Sequence, residues 1–408
     1  MSSANLVSVV YTPETEYGKK PTPISGVTLE TTRFTSESLS GTPTTTESAQ
    51  IRTDRMSSGQ VTTGLDVGGS LDFELAPGKF FDDFFEASMM NTWVAAQSLS
   101  TDVTLTPDGA DDQLATLVIT GDFTTIGVVA DDLLQLIPAS GTPVLVSVIS
   151  VTSTTELQVA TKRGEAAIVG VTMDVAKPAH LVIGATQKSF VIGKSYLDVI
   201  HEGGTDIHSQ TYTGSLVSGF NVSATYGEIV TGNFATVGNG AELEAPSYQQ
   251  QVVTGGGTVN PADSTVPVNA SIDVPLVTTD GTATTFCIES FTIDLDNGLD
   301  PTNCIGRIAP TAYTLGTAAL SISANMYLSD TSYNAFMYKK LTQEPLSMMF
   351  SMRSIDGGYA FSLAAVQLSF PDPSSGGANQ QTMLEATGTA KVGPNGTSAL
   401  TIWKLVGD

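Results

Sequence analysis

The sequence predicts a mainly β protein built on one strand-and-helix unit used twice, with a smaller β unit inserted in the first copy. Three observations lead there. Charged residues are 14% and hydrophobic residues 41%, with Thr, Ser, Val and Gly prominent, as in a turn-rich all-β chain and unlike a disordered one. The stretch Gln60 to Trp93 alternates along its first half and then changes to helical spacing. Thr317 to Leu341 repeats that change in the same register.

In chain order, residues 1–26 form an arm: a short apolar piece, Leu6 to Tyr11, then ETEYGKKPTPISG. A strand is expected from Val27 to Leu39. Ser40 to Ser58 is almost entirely Thr, Ser, Gly, Pro and charge, and is expected as a long structureless loop, a length usually tied to contact or disorder. Arg52, Asp54 and Arg55 concentrate scarce positive charge in it, suiting it to dock on an acidic neighbouring subunit; a solvated loop tip would carry the same residues.

From Gln60 the chain alternates. Val61, Thr63, Leu65, Val67, Leu71, Phe73 and Leu75 point one way, and Thr62, Asp66, Ser70, Asp72 and Glu74 the other. Such a period of two makes a strand with one dry face and one acidic, wet face. Ala76-Pro77-Gly78 ends it. Phe80, Phe81, Phe84, Phe85 and Met89 then line one side of a short helix, with Asp82, Asp83 and Glu86 largely off that side. Laid on the second copy without a gap, Leu75 falls on Leu328, Phe73 on Met326, Phe80 on Tyr333 and Phe84 on Met337. The helix positions Phe80, Phe84, Tyr333 and Met337 are expected in the core. Few identities survive, so the repeat rests on pattern.

Residues 100–178 show short strands and frequent turns (ATLVITGDF, TPVLVSVISV, TTELQVAT) and are expected as a small inserted β-barrel or sandwich. The first unit would therefore be discontinuous, 27–99 and 179–238, with a hairpin turning at Tyr226-Gly227. Residues 239–282, rich in Gly and Pro, are expected as a linker, and 283–408 as the second unit. VTGNFATVG and ATGTAKVG, ending at Gly238 and Gly393, look like matching closing strands.

Asp+Glu total 41 against Lys+Arg 17, a net charge of −24, which argues against a protein that grips phosphates. It leaves open both a surface that nucleic acid slides past and plain solubility by self-repulsion. No secretory signal and no membrane-length apolar run stand out. Cys287 and Cys304 could pair, but thiols kept in a reducing cytoplasm are favoured. HEGGTDIH, His201 to His208, has the wrong spacing for a zinc helix, and its two glycines would break one. DLDNGLD, Asp294 to Asp300, has its glycine one place early for a calcium loop and Ile305 where the glutamate belongs; an acidic turn fits better. TGGGT lacks the Lys-Ser/Thr of a phosphate loop, and three histidines with no G-x-S-x-G elbow leave little for nucleophilic catalysis. No catalytic site, metal or cofactor is expected.

YTPETEYGKKPTP, SAQIRTDRM and VGGSLDFELAPGKFFDDFFEASMMNTW, in that order, resemble the tail tube proteins of long-tailed, non-contractile bacteriophages. YTGSLVSGFNVSATYGEIVTGNFATVG resembles that family's later hairpin. The resemblance covers Met1 to about Gly238 and, more loosely, the second copy. It implies two tandem tail-tube β-sandwich domains, each with a flanking short helix, joined edge to edge into a ring around a lumen. Family rings carry six domains, so three copies of this chain would suffice, with pseudo-sixfold symmetry and about twenty-four strands round the bore. Asp66, Asp72 and Glu74 would then face passing double-stranded DNA without binding it, with Asn325 and Tyr327 in the matching places of the second copy. The partners implied are the chain itself, stacked ring on ring through the arm, the loop and the linker, together with tape-measure and tail-terminator or baseplate proteins. The insert would decorate the outside. The chain would be a virion component assembled in the host cytoplasm, with no membrane binding of its own. An acidic β-sandwich adhesin or carbohydrate-binding protein is the rival reading; within the class, a contractile-tail inner tube or sheath protein is another.

Overall fold

The computed structural model describes the chain apart from residues 1–2, 52, 55, 57–58, 110–112, 163–164, 203, 270–275, 280–281, 285–286, 330–343, 370, 374–380, 394–395, 397 and 408. The chain is mainly β. It opens with β1 (Val7–Pro13), β2 (Thr28–Thr31), β3 (Ser36–Glu37), β4 (Ser40–Glu47) and β5 (Gln60–Glu74), then α1 (Lys79–Ser88). Six strands follow as a separate group: β6 (Gln97–Pro107), β7 (Leu114–Ile119), β8 (Leu133–Ile137), β9 (Val144–Val151), β10 (Glu156–Ala160) and β11 (Ile168–Lys177). Next come β12 (Ala179–Val182), β13 (Ser189–Ile200), β14 (Ile207–Thr225), β15 (Thr231–Gly238), β16 (Gly240–Glu244), α2 (Tyr248–Thr254) and β17 (Thr258–Asn260). The chain ends with β18 (Leu276–Thr279), β19 (Thr282–Thr284), β20 (Ile288–Asp296), β21 (Asp300–Thr302), β22 (Ala312–Thr314), β23 (Ala319–Tyr327), β24 (Leu346–Ser354), β25 (Gly357–Ser369), β26 (Met383–Lys391) and β27 (Leu400–Leu405).

One chain of antiparallel pairings occurs twice. In the first half β1 pairs β13, β13 pairs β14, β14 pairs β16 and β15, β15 pairs β5, and β5 pairs β3 and β4. In the second half β18 pairs β24, β24 pairs β25, β25 pairs β27 and β26, β26 pairs β23, and β23 pairs β20. The halves join where β14 takes β20 along Gly219↔Asp296 to Thr225↔Ser290. A second seam, β12 on β27, ties chain from the first half to the edge of the second.

Two departures from the sequence reading concern β4 and β5. Ser40–Glu47 is a strand and not a loop, because its threonines favour extended backbone and the edge of β5 offers a ladder. The alternation of β5 is real, but its first residues outrun the sandwich and pair only with β4. Val61 is therefore 65% exposed, although it shares the parity of the buried Val67, Leu71 and Phe73. Residues 239–282 are more than a linker: they carry β16, α2 and β17, and β18 within them pairs with the second half.

The core lies between the layers of each half and is one continuous cluster across both. α1 closes it. The Phe84 ring stacks on Phe190 at 5.1 Å, Phe81 meets Phe73 edge-on at 5.1 Å, and Phe85 reaches Phe220 in its own half and Tyr359 in the other. The acids on the helix's other side are all engaged. Asp83 accepts from Tyr11 Oη at 2.9 Å and pairs with Lys79, and Glu86 pairs with Lys188. Asp82 accepts from Tyr359 Oη at 2.9 Å and pairs with Lys404, holding the helix to the second half. Burial pushes the Asp82 carboxyl above its ordinary range, against the pull of those two donors.

Gly78 cannot cap α1 with a side chain, and the Asp263 carboxylate does so from a distance, accepting from Lys79 N at 2.7 Å. Asp263→Ala is expected to cost about 0.5–1 kcal/mol in urea unfolding, in keeping with an exposed cap.

β6 to β11 close into a barrel in the order β10–β7–β6–β11–β8–β9, with its own core around Val103, Leu117, Leu136, Val146 and Val175. Gln97 stands opposite Lys177, so the barrel leaves and re-enters the first half at one point. On its outside, Leu133, Leu145, Ile149 and Ala160 pack against Met349, Ala360, Trp403 and Leu405 of the second half. Fully buried Gln135 makes two bonds to the Val406 backbone, donating to its carbonyl at 3.2 Å and accepting from its N–H at 3.0 Å.

At the root of the barrel His180 lies 4.9 Å from the Trp403 ring. Burial, and then the Lys177 charge, lower its pKa below 6.5, against smaller opposing contributions from the Pro178 backbone and Asp132. The folded chain therefore resists a proton that the unfolded chain accepts. The stability held above about pH 6.5 should be lost as pH falls through the depressed folded value. Unfolding midpoints measured from pH 7.5 to 5 should show a fall that His180→Gln flattens.

Candidate functional site

The site is a surface rather than a pocket. Four strands of each half, β3/β4, β5, β15 and β14, then β20, β23, β26 and the end of β25, form one ribbon whose dry face meets the core. Its other face can be read row by row from the register. One row runs Asp72, Asn233, Asn221, Asp294, Ser321, Thr389. The next runs Glu74, Thr231, Ser223, Thr292, Ser323, Thr387. Side chains here are short and polar, and they bond mainly to one another. Ser36 and Ser70 donate to Asp72, Asn221 donates to Asp294 at 3.4 Å, and Asn325 donates to Ser290 at 3.3 Å.

Asp66, Asp72 and Glu74 all stand on this wet face, with Asp66 and Glu74 exposed and Asp72 half-buried. Among the described residues none of the three pairs with a Lys or Arg, and the same holds for Asp294 and Asp296. Lys391, hydrogen-bonded to Gln367, carries positive charge at the far end of the same face. Of the loop residues, Asp54 is exposed and accepts from Met56 N at 3.2 Å; Arg52 and Arg55 lie outside the described residues. Phe80 and Phe84 are buried, 3% and 0% exposed, while Tyr333 and Met337 lie outside the described residues.

The sequence reading missed the acids of the second half. Asp294 and Asp296 belong to β20 and face the same way as Asp72, and Glu385 stands on the same face of β26, farther along in the row of Ser290 and Asn325. The signal was present: Phe291, Ile293 and Leu295 alternate with them and are buried. Acid thus comes from both halves rather than from the first alone. The turn that follows is structural, with buried Asn297 donating to Ser88 O at 2.7 Å. His201 and His208 face each other across the β13–β14 hairpin, and Cys287 and Cys304 are free thiols. Among the described residues no three His, Cys, Asp or Glu side chains stand close enough to hold a metal ion, and no helix is long and apolar enough to cross a membrane.

A family model described as phage tail tube protein matches residues 4–390. No curated protein matches the chain.

Proposed function

The chain belongs to the phage tail tube protein family, structural components of the virion, and from that premise we propose that three copies close into a ring whose inner wall is the polar face of the eight-strand ribbon. The observation that carries this reading is the β14–β20 junction. Within one chain it already joins the last wall strand of one set to the first wall strand of a matching set. The ribbon then ends in two edges, β3/β4 on one side and the end of β25 on the other, which are a liability in a monomer and a joint in a ring. Three ribbons closed this way give about twenty-four strands and a wide bore. Each half acts as one tail-tube domain.

An anionic wall of Asp and Glu repels phosphate and offers few cations to displace its counterions, so DNA passes without sticking. Val7–Pro13 of the expected arm is β1, buried in the first half's sheet, so rings stack through the rest of that segment, residues 14–26, and the loop containing Arg52, Asp54 and Arg55, within the host cytoplasm, around a tape-measure protein and between terminator and baseplate proteins.

The pairings predict which residues meet at the joint. Asp296 lies opposite Gly219 and Ala319, and the matching positions are Thr42, opposite Asp66, and Ser369, opposite Thr387. Thr42 of one copy should therefore face Ser369 of the next, within the reach of a disulfide. In a chain with Cys287→Ser and Cys304→Ser, the pair Thr42→Cys and Ser369→Cys should give covalent trimers on a denaturing gel after mild oxidation of assembled tubes. Either change alone should give none. Tubes that form but never cross-link would refute the joint.

A further inference from the structure

The outer sheet of each half is buried on both faces, and the two halves solve that differently. In the first half the inward residues of β1 and β13, such as Tyr11, Phe190 and Ile192, join the core, while outward Val10 and Val191 lie under Tyr248 and Val252 of α2. In the second half the alternation is the same. Met348 and Phe350 of β24, Phe361 of β25 and Ile402 of β27 point in, while Met349, Ala360, Trp403 and Leu405 point out. A strand that is apolar on both sides needs a cover on both sides. α2 covers the first half, and the corresponding cover on the second half comes from the barrel.

We propose that the 97–177 barrel is the outer lid of the second half, an obligatory part of its fold lent by the first half, and not an ornament on the surface. The contact is built like an interior. Barrel residues alternate between the two roles along single strands: Val146 and Val148 face the barrel's own core, and Leu145 and Ile149 face Trp403 and its neighbours. Gln135 pairs with the Val406 backbone as a ladder residue would, Arg353 donates to Pro143 O at 3.2 Å, and β12, at the barrel's exit, completes the edge of β27. Without the barrel, an apolar patch holding a tryptophan would face water.

The test uses the full chain and does not depend on tube formation. With Leu145→Lys and Ile149→Lys together, the amides of β27 should exchange on the order of tenfold faster and an apolar dye should bind, while Val146 and Val148 keep their protection. Unchanged β27 exchange with no dye binding overturns the proposal. A second variant covers the case in which these lysines unfold the barrel. Joining Ala96 to Pro178 through a short Gly/Ser linker should lower soluble yield at least about tenfold, and adding Trp403→Thr and Leu405→Thr should restore it. An excised chain that is soluble and dye-silent without those changes also overturns it.

Discussion

Phe84→Ala is expected to destabilise the chain by about 3–5 kcal/mol, measured as a shift in the urea midpoint with the slope held constant. Phe84 is 0% exposed and its ring touches Tyr11, Phe80, Phe190 and Phe234, so truncation removes contacts on every side and leaves a cavity that rigid strands cannot collapse into. Loss on this scale is a large share of the roughly 5–15 kcal/mol that holds a typical domain. Phe84→Leu, which keeps most of the volume, should cost less than half as much. The barrel has a core of its own, so exchange at Val103 and Leu117 should change far less than at Phe190 or Phe234. A shift below about 1 kcal/mol would show that α1 is not the plug of this sandwich.

Reversing the wall charge should have the larger effect on function. With Asp72→Lys, Glu74→Lys and Asp294→Lys, tubes of normal length should still form, because these side chains point away from the core. Each ring would then carry nine added lysines in the bore. Each phosphate contact adds about 0.9 to the slope of log affinity against log salt, so such tubes should retain DNA at low salt. Infectivity should drop on the order of tenfold or more, and less steeply as ionic strength rises. Normal infectivity would remove these residues from the wall.

What could be read from the sequence was whatever one strand or helix states alone. The dry side of β5, the break at Pro77 and the aromatic side of α1 are periodic, and periodicity is local. The failures are all matters of pairing. Val61 has the parity of a core residue, yet nothing along the chain says that the sandwich ends before it. The run Asp294 to Asp300 spells an acidic turn, and only the alternation of Phe291, Ile293 and Leu295 carries the strand on through Asp294 and Asp296. Matching the closing strands at Gly238 and Gly393 sets Asn233 against Gly388. Asn233 faces the wet side with Asp72, whereas Gly388 stands across from Ile322 on the dry side, so that match is off by an odd step. The partner of the barrel was not legible either. Leu145 and Val146 are both apolar residues of one strand, and only the folded arrangement separates the one that faces Trp403 from the one that faces inward.

In the proposed tube one chain supplies two successive arcs of a single cylinder. A cryo-electron-microscopy reconstruction of assembled tubes, averaged without imposed symmetry, tests it most directly. It should return three chains per ring, with Asp72, Asn221 and Asp294 bordering the channel and the barrels on the outside. Six chains per ring, or a channel lined by α2 and the barrels, would contradict it.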